Sequence, residues 1–273
     1  MAGFSAAREP LRVVIKDGGA RLAGACVARG NAAEQLVFWL RHAHSEANAV
    51  QDASLATGAI ASPALACSQL VDAPLSAAGR AQAAALAERV RGAGWDDLDV
   101  EAVAASPLRR ALETAVIVWP RARLFVVEAL RERYSGQPAE RRRSRDELAL
   151  LLADLGARDV DLSYLDAEDP MAPTFRESSA AACARARKAL GWVLSRREER
   201  VAVVSHSWLL SSGLMPCLRF ADATAAATAR RPFSHCELRA NSFPCRGAAA
   251  LPRRVLARPV PLWKSAHRAF FDT

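Results

Sequence analysis

The chain has 273 residues, 51% of them hydrophobic, so it can bury the core of one large α/β domain or of two small ones. It contains no run of about 18 apolar residues, and we therefore expect neither a membrane-spanning helix nor a membrane partner. The net charge of +8 favours anionic partners, such as phosphorylated metabolites or nucleic acid, without choosing between them.

The N-terminus lacks the basic and then apolar arrangement of a secretory signal. Residues 1–33 are rich in Ala and Arg but also contain Glu9 and Asp17, so organellar targeting stays an alternative to the cytoplasmic location that we expect. The six cysteines are scattered and form no CxxC pair, which is typical of reduced cysteine rather than of a disulfide framework or a zinc site.

Apolar segments alternate with helical patterns along the chain. Strands are predicted over residues 35–40, 100–105, 124–127 and 201–204. Helices are predicted over residues 77–91, 108–118, 144–156 and 178–196, with Ser76 as an N-cap and with Ser144 and Glu147 as a capping box. This alternation predicts an α/β fold, a three-layer sandwich in which helices flank both faces of a mainly parallel central sheet.

Two segments do not fit the alternation. Residues 1–33 show neither pattern, so we predict an N-terminal extension over residues 1–33 and a single domain over residues 34–273. The acidic, proline-containing segment 159–175 is predicted to be a loop or an insertion over the sheet.

Histidine and arginine residues follow the carboxyl ends of the predicted strands, which is where ligands bind in open α/β sheets. An arginine fork matches the oxygens of a phosphoryl group, a neutral imidazole can attack phosphorus, and a carboxylic acid can protonate the leaving oxygen. We therefore expect a phosphate site with a nucleophile and an acid at this edge. Its candidates, strand by strand, are Arg41 with His42, Ser106 with Arg109 and Arg110, Arg131 with Glu132, and Ser205 with His206.

Five ordered blocks resemble the motifs of the histidine phosphatase superfamily, also called the phosphoglycerate mutase-like superfamily. The first, residues 40–48 (LRHAHSEAN), is similar to the RHGxSxxN signature. A closer resemblance is to the plant and fungal phosphoglycerate mutase-like proteins, because RER at 131–133 precedes RRS at 142–144 and FSHCELR at 233–239 resembles their FxNCELR. The other four family blocks are residues 72–83 (DAPLSAAGRAQA), 106–115 (SPLRRALETA), 130–136 (LRERYSG) and 203–206 (VVSH).

The resemblance implies a role for seven residues. His42 would accept the phosphoryl group, and Glu132 would protonate the leaving group and then activate water. His206 would act beside them in the catalytic set. The phosphate-binding residues would be Arg41, Ser45, Asn48 and Arg110, with no metal and no cofactor.

Some of these assignments have rivals. Glu128 is an alternative to Glu132, although the LxER…G pattern favours Glu132. Arg109 and Arg110 are about 100° apart on a helix, so only one can face the pocket well, and the block alignment favours Arg110. Asn48 can instead cap a turn.

Three residues depart from the family pattern. Ala43 replaces the glycine after the first histidine, and its methyl group could crowd the pocket. Ser207 stands where many relatives have glycine. His235 replaces an asparagine, and we expect it, like His44, to line the rim or to bond locally.

We therefore predict a phosphatase that hydrolyses a phosphomonoester through a covalent phosphohistidine at His42. The expected partner is a small phosphorylated substrate, nucleic acid is not expected, and no pattern defines an oligomeric state. Two alternatives remain open: phosphoglycerate mutase-type transfer by the same residues, and a catalytically degenerate relative that binds a phospho-ligand as a scaffold.

Overall fold

A computed structural model describes residues 34–58, 70–92, 100–171, 176–220 and 222–244, together with four short strands outside them. The strands are β1 (Val14–Lys16), β2 (Gly19–Arg21), β3 (Glu34–Arg41), β4 (Ala102–Ala105), β5 (Arg123–Val126), β6 (Val160–Asp161), β7 (Arg200–Ser205), β8 (Leu218–Arg219), β9 (Leu238–Pro244), β10 (Val255–Leu256) and β11 (Arg258–Val260). The α-helices are α1 (Glu46–Thr57), α2 (Ala77–Gly92), α3 (Arg109–Val118), α4 (Arg145–Asp154), α5 (Ser179–Leu194) and α6 (Ala223–Ala229). A π-helix spans Leu209–Leu214, and 3₁₀ turns span Glu128–Leu130, Pro138–Glu140 and Met215–Cys217.

The central sheet has seven strands in the order β11-β9-β3-β7-β4-β5-β6. The five strands from β3 to β6 run parallel, and β9 and β11 add two antiparallel pairings beyond β3. Parallel order brings the carboxyl ends of β3, β7 and β4 to one edge of the sheet. The predicted α/β class with a mainly parallel sheet is confirmed.

A hydrophobic core lies on each face of the sheet, which is why the central strands are apolar throughout. In β3, Phe38 and Leu40 pack into one core, and Val37 and Trp39 pack into the other. The Trp39 indole N–H donates to the Asn241 side-chain oxygen at 2.9 Å, which joins β3 to its antiparallel neighbour β9. The three layers that the sequence predicts follow from this two-sided burial.

The predicted elements form where capping and periodicity indicated them. All four predicted strands and all four predicted helices are present, and their ends shift by one or two residues, as helix and strand ends commonly do. Ser144 and Glu147 form the expected capping box, and Ser178 caps α5. Residues 160–161, expected to be loop, form the edge strand β6, because they pair with Leu124 and Phe125 of β5.

Two elements that position the site were not predicted from the sequence. Helix α1 buries none of its residues, so it has no apolar stripe, and it is set instead by the Ser45 cap and by left-handed Gly58 at its end. Strand β9 (LRANSFP) contains polar residues and a proline, and pairing with β3 holds it in the sheet. Both elements depend on tertiary contacts rather than on their own pattern.

Three further predictions concern membrane-spanning helices, the cysteines and the N-terminal region. No helix among the described residues is long and apolar enough to cross a membrane. Of the cysteines, Cys183, Cys217 and Cys236 form no disulfide, and the other three lie outside the described residues. In the region 1–33 the structure describes only β1 and β2, which pair antiparallel, so the boundary at residue 34 stays a prediction.

The first turn of α2 packs closely against the loop that follows β3. Ser76 donates its backbone N–H to the His44 carbonyl at 3.0 Å, and its hydroxyl accepts from the Gly79 N–H at 3.1 Å. A Cβ at Gly79 would lie only 1.8 Å from the His44 carbonyl oxygen. Glycine is therefore required at position 79, where the first turn of α2 packs against this loop.

We expect Gly79→Ala to lower the free energy of unfolding by about 3 kcal/mol or more, because backbone rather than a flexible side chain must move. Gly58→Ala is the matched control: its φ of 60° is left-handed but no atom lies within 4 Å of the added Cβ, so about 1–2 kcal/mol should be lost. Urea unfolding measures both values. Equal losses would contradict the close approach at Gly79.

Candidate active site

The two histidines of the predicted site lie side by side at the carboxyl ends of β3 and β7. Arg41 and Ser205 are paired in the register of these parallel strands, and the His42 N–H donates to the Ser205 carbonyl at 2.9 Å. The ring centroids of His42 and His206 are 4.9 Å apart, and both rings are buried. The strand pairing therefore brings together residues that are 164 positions apart in the sequence.

The hydrogen bonds of His42 define which ring nitrogen can react. Nδ1 lies 2.7 Å from the Ala43 carbonyl oxygen, which only accepts, so Nδ1 carries the proton. Nε2 accepts from the Nε–H of Arg110 at 3.3 Å. Burial, then Arg110 and Arg41, holds the pKa of His42 well below its ordinary value, so the ring is neutral with a lone pair on Nε2.

Of the two neighbouring arginines, Arg110 faces this pocket. Its guanidinium is buried, contacts His42 and donates from Nη1 to the Ala139 carbonyl at 2.6 Å. Arg109 points away and donates to Glu113 at 2.6 Å, with 30% of its side chain exposed. The structure thus brings Arg110, and not Arg109, next to His42.

Arg41 and His206 contribute unpaired polar atoms to the pocket. The described residues contain four buried side-chain N or O atoms without a hydrogen-bond partner, and two of these are Arg41 Nε and His206 Nδ1. Arg41 is anchored through Nη1 to the Phe233 carbonyl at 2.7 Å, and His206 Nε2 lies 2.8 Å from the Ser106 hydroxyl. An unpaired buried polar group is costly, so these atoms are suited to a ligand.

The half-buried Glu132 carboxylate lies where the chain enters the helical segment after β7. It accepts backbone N–H groups from Arg133 at 3.0 Å, Leu209 at 3.1 Å and Trp208 at 3.3 Å. Burial raises the pKa of Glu132 above its ordinary value, and these N–H donors and Arg110 oppose the rise. A carboxyl with a raised pKa is suited to donating a proton near neutral pH.

The rival acid Glu128 is already engaged. Its two oxygens accept from Arg131 at 2.9 Å and from Arg142 at 2.7 Å. Both arginines are buried, and the Asp169 carboxylate also binds Arg131 and the Arg142 N–H. Glu128 is therefore part of a buried ion-pair network, whereas the Glu132 carboxylate interacts electrostatically with the pocket arginines Arg41 and Arg110.

Ser45 and Asn48 form the reciprocal cap of α1. The Asn48 side-chain oxygen accepts from the Ser45 N–H at 3.1 Å and from its hydroxyl at 2.7 Å, and the Asn48 N–H donates back to that hydroxyl. The capping alternative for Asn48 is thus realised in the structure. A phosphate contact from either residue stays a prediction.

The three departures from the family pattern have different consequences. Ala43 is fully buried within the hydrophobic core. Its methyl group therefore does not crowd the pocket, although its position next to His42 indicated that it could. Ser207 donates from its hydroxyl to the Phe233 carbonyl at 3.1 Å. His235 lies with its Nε2 2.8 Å from Nη2 of Arg41, which is the local bond that was one of its two predicted roles.

Several supporting residues were missed by sequence reasoning. The buried Thr114 hydroxyl accepts from the Ala43 N–H at 3.0 Å and fixes the loop after His42. Asp72 accepts the Arg109 N–H at 2.8 Å, so it caps α3 from a distant segment, next to Arg110. Arg185 donates to the Glu132 carbonyl at 3.1 Å and pairs with Glu177. In the sequence, the only indication of these supporting roles was that Asp72 and Thr114 occupy positions in two of the family blocks.

Comparison with known proteins identifies the family of the chain. The model of the histidine phosphatase superfamily (branch 1) matches residues 37–242, most of the chain. The chain therefore belongs to the histidine phosphatase superfamily, as its motifs predicted. No curated protein matches the sequence.

Several solved structures are similar to this chain at low sequence identity. A protein described as mycobacterial hydrolase 2 is 20% identical, with 85% of this chain and 94% of that chain covered and a TM-score of 0.51. The α-ribazole phosphatase from Shigella flexneri is 18% identical (84% and 100% covered, TM-score 0.49). The mycobacterial glucosyl-3-phosphoglycerate phosphatase is 23% identical (77% and 91% covered, TM-score 0.45). The match to hydrolase 2 shows a common fold.

Asp72 makes stability depend on pH. Burial raises its pKa from 3.8 to about 6, so the folded chain keeps a proton that the unfolded chain has lost. Unfolding free energy should therefore fall as the pH rises from about 4 to 6, by on the order of 3 kcal/mol from this group. Asp72→Asn should remove that fall, because asparagine tolerates the φ of 48° and can accept the Arg109 N–H.

Urea unfolding between pH 4 and 7 measures this slope. Asp161→Asn is the control: hydrogen bonds from Ser163 lower the pKa of that carboxyl below 3.8, so its contribution titrates below about pH 4 and its loss should leave the slope between pH 4 and 7 nearly unchanged. An unchanged slope in Asp72→Asn would show that Asp72 is ionised throughout.

Proposed function

We propose that the chain hydrolyses a small phosphomonoester in two steps through a phosphohistidine at His42, without a metal or a cofactor. The activity belongs to the proposed domain over residues 34–273. One observation carries the proposal: a neutral His42 with its lone pair on Nε2 lies among the donors of Arg110, Arg41 and His206, two of which have an unpaired buried atom. Such donors match the charge of a phosphoryl group in transfer.

In the first step, His42 Nε2 attacks phosphorus, the N–P bond forms and the ester P–O bond breaks. Its Nδ1–H keeps the bond to the Ala43 carbonyl and stabilises the positive charge that the ring gains. Glu132, with its raised pKa, gives its proton to the leaving oxygen. Arg110 must turn from His42 Nε2 to the phosphoryl oxygens for the attack to occur, and its 3.3 Å contact is long enough to exchange readily.

In the second step, the Glu132 carboxylate takes a proton from water, whose oxygen attacks phosphorus. The N–P bond breaks, its electron pair returns to His42 Nε2, and inorganic phosphate leaves. The donors of Arg41, Arg110 and His206 serve both steps because charge develops on the same oxygens. Ser45 and Asn48 are proposed to border this phosphate site from the start of α1, beside His42.

The surplus of positive charge favours phosphate binding over a purely structural role for the pocket. Burial of Arg110 and half-burial of Arg41 is unfavourable in the free protein, because no carboxylate among the described residues hydrogen-bonds to either guanidinium, and Glu132 and Asp72 balance the charge only from a distance. A phosphoryl dianion balances that charge and pairs with the arginine forks. This supports a phosphate ester as the substrate class, and the leaving alcohol stays undefined.

His42→Ala should abolish hydrolysis across a panel of phosphometabolites, by at least about 10³-fold in kcat/KM, because the nucleophile is removed. Rapid quenching of the natural chain with labelled substrate should give an acid-labile, alkali-stable phosphoenzyme that His42→Ala does not form. His44→Gln is the control and should keep the label, since His44 bonds to Ser76 and Asp52 rather than to the pocket donors. Full activity in His42→Ala would refute the mechanism.

Arg110→Gln and Arg109→Gln form a matched pair on adjacent positions of α3. The first should lower kcat/KM by about 10²–10³-fold, because a buried donor to the phosphoryl oxygens is lost. The second removes only a partly exposed ion pair with Glu113 and should change kcat/KM by less than about threefold. Steady-state kinetics on one phosphoester shows which variant loses more of its kcat/KM. A larger loss in Arg109→Gln than in Arg110→Gln would place Arg109 in the pocket.

A further inference from the structure

His235 is in direct contact with Arg41, in agreement with the local bond that was one of its two predicted roles. Its ring lies among three charged or aromatic groups: Arg41, with Nη2 2.8 Å from His235 Nε2, His42 at 5.9 Å and His44 at 5.1 Å between ring centroids. The guanidinium always carries its protons, so His235 Nε2 must be the acceptor. His235 therefore holds Arg41 as a neutral ring protonated on Nδ1.

The turn that carries His235 is hydrogen-bonded to the end of strand β3 and to His42, which follows it. Cys236 adopts a left-handed φ of 57°, and its N–H donates to the His42 carbonyl at 3.3 Å. The Arg41 N–H donates to the Glu237 carbonyl at 3.2 Å, and the Glu237 carboxylate accepts the Ser234 N–H at 2.7 Å. The backbone that follows His235 is thus bonded to His42 and Arg41, and the Glu237 carboxylate closes the turn on the preceding side.

Arg41 has two anchors, and their directions determine where its third nitrogen points. Nη1 donates to the Phe233 carbonyl and Nη2 to His235, which leaves the buried Nε without a protein partner. With a single anchor, the guanidinium plane could rotate about the Nη1 contact. With both anchors, the plane and the Nε–H direction are fixed before any ligand arrives, which lowers the entropy cost of binding.

We propose that His235 is a positioning residue that locks the Arg41 guanidinium so that its Nε–H is directed at the phosphoryl group. This inference rests on the proposed function, because it assigns Arg41 to the same phosphate pocket. Burial and Arg41 lower the pKa of His235 to about 3, so the ring remains a neutral acceptor at neutral pH. His235 acts through Arg41 and needs no contact with the substrate.

The test compares His235→Leu with His235→Asn, since only asparagine offers an acceptor for Arg41. We expect His235→Leu to raise the inhibition constant of inorganic phosphate about tenfold, the effect of losing one hydrogen bond to a charged group. His235→Asn should stay within about threefold of the natural chain. Equal phosphate inhibition in the natural chain and in His235→Leu, or no rescue by asparagine, would overturn the inference.

A double-mutant cycle with Arg41→Lys distinguishes positioning from direct contact. If His235 acts through Arg41, His235→Leu should have little further effect on kcat/KM once Arg41 is lysine, because the fork that it orients is gone. Additive effects would mean that His235 meets the substrate itself, and would refute the positioning role. A general loss of folding would lower the thermal midpoint of both His235 variants alike.

The two hypotheses can fail separately. If the natural chain turns over no phosphoester, the proposed function fails, and His235 is then judged by calorimetry of inorganic phosphate binding. Weaker binding in His235→Leu than in His235→Asn would still support the positioning role. Equal binding in all three proteins, or none in the natural chain, would reject it.

Discussion

The positive charge of two guanidinium groups beside His42 is the constraint on which the site depends. Arg110 is buried and Arg41 half-buried, and both are tethered by peptide carbonyls, those of Ala139 and Phe233, rather than by carboxylates. Carbonyl oxygens satisfy hydrogen bonds without neutralising the charge. The field of the two cations therefore remains, and together with burial it keeps His42 neutral and able to act as a nucleophile.

The carboxylates around the pocket are arranged so that they do not cancel this field. Three of the buried acids are committed to arginines outside the pocket, whereas Glu132 and Asp72 remain beside Arg110, and backbone N–H groups hold Glu132. Asp72, close to Arg110, is buried strongly enough to keep its proton up to about pH 6. The committed pairs are Glu113 with Arg109, Glu128 with Arg131 and Arg142, and Glu177 with Arg185.

Sequence patterns predicted the sheet and the candidate pocket residues well, because both depend on short-range signals. The central strands are buried on both faces and read as apolar runs, and the motif residues follow them directly. Helix α1 and strand β9 were not predicted, since neither has a periodic apolar face. The same limit applies to His235: nothing within FSHCELR indicates that its ring meets Arg41, because that contact requires β9 to pair with β3.

The sequence by itself determined the family, the class of fold and the residue types at the strand ends, because these depend on local composition and order. Only the tertiary structure decided which groups meet. It turned Arg110 rather than Arg109 to His42, tied Glu128 into an ion-pair network and aimed the Ala43 methyl at the core. These choices depend on directions in space: the angular position of a side chain on a helix and the side of a strand that faces a neighbour are fixed only when the layers pack.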